Sequence, residues 1–314
     1  MNKIFIFEPR SGLCNQLNCI AIGVVIGAIY NRKIYFHGFQ VDYSNEYDLT
    51  DFEDIIDINY INKILKEYNI NTCILKKKDL IKLDIEHENI KTFEVLNTFD
   101  KPIFNIKNIF PFLNIKENLD KQILNLKNPI NTILPDEMNN FYNYIRIHLI
   151  FNEKYMEITN NIIEKFELNN FCCVHLRLED DAIEYVNQKN DFDYINDIYK
   201  QIYINELEIL KKTDTQIYVC TSLGLFENKN NLFYKIIKKQ YNLIDKNDLL
   251  IKLGLNDMLE QREICGIIDY LVALKSDYFV GCDWSSFSIA IKNHHEFHKK
   301  SYNLLNIWDT VYHL

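Results

Sequence analysis

Three short, nearly unbroken apolar runs in the second half of the chain constrain its fold more than any other feature: residues 171–176 (FCCVHL), 216–221 (QIYVCT) and 278–282 (YFVGC). A strand that alternates apolar and polar side chains keeps one face in water, whereas runs of this kind bury both faces. Between and around them apolar positions recur at helical spacing over 155–168, 194–211, 232–239 and 258–275. A further short strand is read at 241–245, and another helix starts at 285–293. Strands alternating with helices in this way imply a parallel sheet covered on both faces.

The start of the chain shows the same grammar. Residues 4–7 (IFIF) read as a buried strand, 8–16 (EPRSGLCNQ) as a loop, 17–30 as an apolar helix and 33–36 as a second strand. Gly23 and Gly27 lie four apart in that helix, which suits close approach of a packing partner. Residues 37–153 carry no repeat and no long linker, and Pro102, Pro111, Pro129 and Pro135 mark breaks. At 314 residues the chain is about twice the ~150 residues usual for one domain. The expected division is 1–153 and 154–314, each an α/β unit, with room for the last helix to pack back on the first.

The 44 acidic and 35 basic residues give a net charge of −9. That excludes a dedicated binder of nucleic acid, which needs a basic face to displace counterions from phosphates. The longest apolar stretch, 19–30, falls short of the ~20 residues that span a bilayer. No secretory leader is read at the start, and the eight cysteines show no zinc spacing. A cytoplasmic protein with reduced thiols, no membrane span and no metal is therefore expected.

In open parallel sheets ligands sit beyond the carboxyl ends of the strands. The loop at 10–16 (RSGLCNQ) reads either as a plain βα turn or as an anion-binding bend, with Gly12 admitting a ligand and Asn15 and Gln16 supplying amides. The run 175–181 (HLRLEDD) places His175 and Arg177 on one face of the chain, where an arginine fork can grip phosphate. It reads alternatively as a structural ion pair beside a solvated acidic turn. At 282–288 (CDWSSFS), serines at a helix start either cap it or offer hydroxyl and N–H donors to a diphosphate. Thr221 and Ser222 read more simply as a hydroxyl-capped turn. Asp269 lies on an apolar helix face, where an unpartnered carboxylate would be costly, so it holds a loop or a ligand donor. Only five residues are arginine (Arg10, Arg32, Arg146, Arg177 and Arg262), which draws attention to each in so lysine-rich a chain.

In order and placement, GLCNQL, HLRLEDD and DYFVGCDWSSFS resemble the GDP-fucose-dependent fucosyltransferases, and most closely the protein O-fucosyltransferases. The resemblance implies two Rossmann-like domains facing across a cleft, the GT-B architecture. The first would be the acceptor side and the second the GDP-sugar side. It also implies inverting, metal-independent transfer of fucose from GDP-fucose to a hydroxyl of a protein or glycan, without a cofactor. By the same resemblance Arg177 would hold the β-phosphate, and His175 and Asp181 would contact the nucleotide or steady Arg177. Ser285, Ser286 and Phe287 would cradle the diphosphate, and Asp269 would join the donor site. Asn15 would reach the sugar–phosphate junction, with Gln16 beside it and Gly12 making room. Where some members carry a glutamate base, three residues before the asparagine, this chain has Gly12. That leaves a GDP-sugar-binding protein without catalysis, or a relative using another GDP-6-deoxyhexose, as alternatives.

Overall fold

A computed structural model describes residues 3–41, 48–81, 90–94, 113–114, 116, 121, 123–127, 134–179, 182, 195–223 and 231–306. The chain divides into two compact units, Met1–Glu153 and Lys154–Leu314.

In the first unit, strands β1 (Ile4–Glu8), β2 (Lys33–Phe36), β5 (Ile90–Glu94) and β6 (Ile123–Lys127) form an all-parallel sheet in the order β2-β1-β6-β5. A two-stranded ribbon, β3 (Phe39–Gln40) with β4 (Leu49–Thr50), stands beside it. Helix α1 (Leu13–Ile29) joins β1 to β2 and is buried along most of its length. A Cβ on Gly27 would sit 2.5 Å from Ile34 of β2, so the bare backbone lets helix and sheet touch there. The helix starts four residues before the position expected from sequence. Asn15 and Gln16, placed in the loop at 8–16 by the sequence, occupy its first turn. Short helices α2 (Phe52–Ile55), α3 (Ile58–Glu67) and α4 (Lys77–Ile81) follow, and α5 (Asn139–Ile147) packs on α1. There Arg146 Nε donates to Asn18 Oδ1 at 2.8 Å.

Helix α6 (Glu153–Lys165) starts at the boundary and leads into the second unit. Its sheet is also wholly parallel, ordered β11 (Ser301–Leu305), β10 (Tyr278–Cys282), β7 (Cys172–His175), β8 (Ile217–Cys220), β9 (Ile244–Asp245). Helices α7 (Ile195–Lys211), α8 (Leu232–Gln240), α9 (Lys246–Leu253), α10 (Arg262–Lys275) and α11 (Ser286–Phe297) connect the strands. One core cluster runs from Cys172, Val174 and Leu176 through Tyr199, Tyr203 and Leu207 to Val219 and Val280. The 258–275 segment is not one helix. A 3-10 turn at Asn256–Glu260 precedes α10, and α9 was not legible at all. The last described element is the strand β11. Among the described residues no helix is long and apolar enough to cross a membrane.

The strand order makes β10, β7 and β8 neighbours with a common direction. Their carboxyl ends therefore deliver the segments after Cys282, His175 and Cys220 side by side at one edge of the sheet. Those segments carry most of the residues singled out above.

Candidate active site

In the second unit the β7 end is pinned from several sides. Tyr199 Oη donates to the Arg177 carbonyl at 2.6 Å, and the Arg177 N–H donates to Tyr203 Oη at 3.3 Å. Both main-chain polar groups of Arg177 are thus satisfied by α7, which fixes where its side chain leaves the segment after β7. Arg177 Nη1 meets Glu179 Oε2 at 2.8 Å, with the Arg177 side chain 19% exposed and that of Glu179 only 4%. The other Glu179 oxygen accepts from Ser222 N at 3.1 Å and Ser222 Oγ at 3.0 Å. Burial alone would raise the Glu179 carboxyl. Arg177, His175 and the Ser222 N–H outweigh it and hold the group at about 2. The Arg177 guanidinium carbon lies 5.8 Å from the Trp284 ring, just before the start of α11.

His175 is buried, and its Nδ1 shares a 2.8 Å hydrogen bond with Ser288 Oγ. Its ring meets Phe287 with centroids 4.7 Å apart. Burial lowers the imidazole to about 4, so the ring is neutral at pH 7. Ser288 Oγ also accepts the Cys282 N–H at 3.0 Å. This close seat of α11 on β10 requires Gly281, where a Cβ would lie 2.5 Å from Ser288 Oγ. Ser285 caps α11, its Oγ accepting from Ser288 N at 3.4 Å. The N–H groups of Ser286 and Phe287, in the first turn, have no intrahelical acceptor by helix geometry. An α-helix start of this kind is a ready hydrogen-bond donor to an anion.

Asp269, on α10, is buried. Its Oδ1 accepts from Tyr218 Oη at 2.7 Å and its Oδ2 from Lys246 Nζ at 2.6 Å, all three being buried. Lys246 Nζ also donates to the Thr221 carbonyl. Each carboxylate oxygen thus accepts from a protein donor, which gives Asp269 the partners a buried carboxylate needs. Thr221 and Ser222 form the hydroxyl-capped turn expected of them, Thr221 Oγ1 donating to the Leu176 carbonyl at 3.0 Å. Asp181 lies outside the described residues.

In the first unit the Arg10–Gln16 segment is held by two glutamines. Gln16 is fully buried. Its Nε2 donates to the Ser11 carbonyl at 2.9 Å and the Gln40 carbonyl at 2.8 Å, and its Oε1 accepts the Gln40 N–H at 2.9 Å. Gln40 Oε1 in turn accepts the Ser11 N–H at 2.8 Å. These bonds fix Ser11 at φ 79, a left-handed conformation rarely taken by a residue with a side chain. Gln16 therefore shapes the bend from within and presents no amide to a ligand. Asn15, half-buried, donates through Nδ2 to Ser11 Oγ at 3.1 Å. At Gly12 a Cβ would meet nothing within 4 Å, so packing does not require glycine there. Glu8 and Arg10 pair at 3.5 Å.

Three supporting residues were not identified from sequence. Glu179 stood in view but read as part of an acidic run, and its burial beside Ser222 depends on the β7–β8 pairing. Gln40 and Lys246 lie in segments without any motif. Their partners are 24 and 23 residues away along the chain, which no local signal reports.

The parallel α/β fold is shared with solved structures of POFUT1 and of the fucosyltransferase NodZ. POFUT1 in complex with GDP superposes with a TM-score of 0.62 at 14% identity, over 97% of this chain and 99% of that one. POFUT1 in complex with GDP-fucose gives 0.62 at 15% identity, over 96% and 98%. The fucosyltransferase NodZ from Bradyrhizobium gives 0.56 at 9%, over 93% of each chain. No curated protein sequence matches the chain. A profile of the GDP-fucose protein O-fucosyltransferases (O-FucT) matches residues 5–298, and the chain belongs to that family of glycosyltransferases.

Proposed function

We propose that the protein is an inverting, metal-independent fucosyltransferase that moves fucose from GDP-fucose to a hydroxyl of a protein or glycan acceptor. One observation carries the proposal: the Arg177 guanidinium lies 5.8 Å from the Trp284 ring, next to the Ser285-capped start of α11. A fixed cation and a row of helix N–H groups thus stand together at one sheet edge, suited to the diphosphate of GDP. In the proposed reaction the acceptor oxygen bonds to the anomeric carbon from the face opposite GDP. The bond from that carbon to the diphosphate oxygen breaks, its electron pair leaves with GDP, and the acceptor's proton passes to water. Arg177 and the first N–H groups of α11 offset the charge that grows on GDP, so their effect is greatest in the transition state.

Neutral His175 stiffens this edge through Ser288 and Phe287. Asn15 is assigned to the sugar–phosphate junction, with Gly12 leaving space beside it. The GT-B arrangement of the two units belongs to the same proposal and is supported by the family. A reducing, cytoplasmic setting fits a chain in which none of the eight cysteines forms a disulfide.

A second reading, a GDP-sugar-binding protein without turnover, is favoured by Gly12, which stands where some relatives carry a glutamate. Thermal shifts with a panel of nucleotide sugars, with and without chelator, followed by assay of fucose release and transfer, separate the two. The proposal expects stabilisation by GDP and GDP-fucose that survives the chelator, together with turnover. Binding without any turnover supports the second reading, and no stabilisation by any GDP-sugar refutes both.

A further inference from the structure

Arg177 is paired with a carboxylate at the position where the proposed function needs a cation for a diphosphate. The pair is not symmetric. Glu179 is 3% exposed as a residue, while the Arg177 side chain keeps 19%. The carboxylate is spent on three protein donors, Arg177 Nη1 at 2.8 Å, Ser222 N at 3.1 Å and Ser222 Oγ at 3.0 Å. Its inner end is therefore anchored to the turn after β8, and its outer end grips one nitrogen of the guanidinium. That turn is itself immobilised by Thr221, whose carbonyl accepts from Lys246 and whose hydroxyl donates to Leu176. The pair thus joins a rigid buried turn to a side chain that still reaches solvent.

We propose that Glu179 is a positioning residue for Arg177, fixing the direction in which the guanidinium meets a diphosphate by tying it to Ser222. The inference rests on the GDP-sugar reading and adds to it a residue whose action passes wholly through another. An arginine side chain has four rotatable bonds and much rotamer entropy to lose on binding an anion. A carboxylate that has already ordered it removes that loss from the binding step. Glu179 also adds negative charge near the site, so placement is the only route by which it can favour an anion.

The test is a ligand-observed NMR titration with GDP, which reads affinities into the millimolar range. It is run on the full chain and on Glu179→Ala, Glu179→Gln, Arg177→Ala and the Glu179→Ala/Arg177→Ala double variant. The expectation is about tenfold weaker GDP binding for Glu179→Ala, and an intermediate, roughly threefold loss for Glu179→Gln, which keeps one acceptor oxygen. Once Arg177 is already alanine, removing Glu179 should change nothing beyond twofold, because there is no guanidinium left to place. Wild-type affinity or tighter in Glu179→Ala overturns the inference, since removing a nearby negative charge would then be the whole effect. So does a loss repeated in full on top of Arg177→Ala, which marks a general structural role. Should Glu179→Ala fail to fold, Glu179→Gln carries the same cycle. A wild-type chain that does not bind GDP at all refutes the GDP-sugar reading and this inference together. Binding that depends on Arg177 but not on Glu179 refutes this inference alone.

Discussion

Replacing Gly281 by alanine tests how the α11 edge is built. The new Cβ would lie 2.5 Å from Ser288 Oγ and 2.7 Å from both Ser288 Cβ and Phe279 Cε1. A rotamer change cannot relieve the contact with Ser288 Cβ, so the start of α11 must move away from β10. Overpacking of this kind costs about 1–3 kcal/mol. The same movement stretches the two bonds at Ser288 Oγ, to His175 Nδ1 at 2.8 Å and from Cys282 N at 3.0 Å, both buried. Each buried polar group left without its bond adds about 1 kcal/mol or more. The sum is roughly 3–5 kcal/mol, and a unit of 150–250 residues loses about 2–4 °C of Tm per kcal/mol. Differential scanning calorimetry should therefore show the second unit melting about 10 °C lower in Gly281→Ala. Adding Ser288→Gly, which removes both the Oγ and the Cβ from the clash, should recover part of that loss. Melting within 2 °C of wild type would show that α11 does not sit on β10 as described.

Gly12→Ala is expected to leave Tm within about 2 °C, because its Cβ meets nothing within 4 Å at φ −61. It should still reduce fucose transfer if that space receives substrate, and an activity assay beside the melt reads both. Gln16→Ala orphans the Gln40 N–H, the Gln40 carbonyl and the Ser11 carbonyl, and should cost about 2–4 kcal/mol in denaturant unfolding. Lys246→Met leaves Asp269 buried beside Tyr218 without its cation and should cost about 3 kcal/mol, with much of it restored in Lys246→Met/Asp269→Leu. His175 has a folded-state pKa of about 4 against 6.5, so the neutral form belongs to the native state. Its contribution is complete above pH 6.5 and falls away by about 3 kcal/mol as pH drops toward 4, and His175→Asn should flatten that slope in pH-dependent unfolding. Glu179, held at about 2 against 4.5, adds a separate loss only below pH 4.5.

The strands were legible because a strand buried on both faces leaves a nearly unbroken apolar run in the sequence. IFIF, FCCVHL, QIYVCT and YFVGC all lie where they were read. Helix boundaries were less legible where polar residues serve tertiary partners. Gln16 falls in the expected loop because nothing nearby reveals that Gln40 will bond both ends of its amide. The site followed the same division. Arg177, His175 and the 285–288 turn could be proposed from motifs, since each lies at a strand end or helix start. Glu179 and Ser222 become partners only when β7 pairs with β8. Lys246 reads as one more lysine among many, and only the fold shows it buried against Asp269. Ser285 is both what its cap position suggests and part of the candidate anion edge, so the two meanings of a serine at a helix start coexist there.

The central claim is that a guanidinium fork at position 177 carries the departing diphosphate. It is tested most directly by the rate of GDP release from GDP-fucose, in the presence of chelator, for wild type and Arg177→Lys. Lysine keeps the charge and loses the fork, so a fall of at least tenfold in kcat with the fold intact is expected. Full activity in Arg177→Lys would contradict the claim.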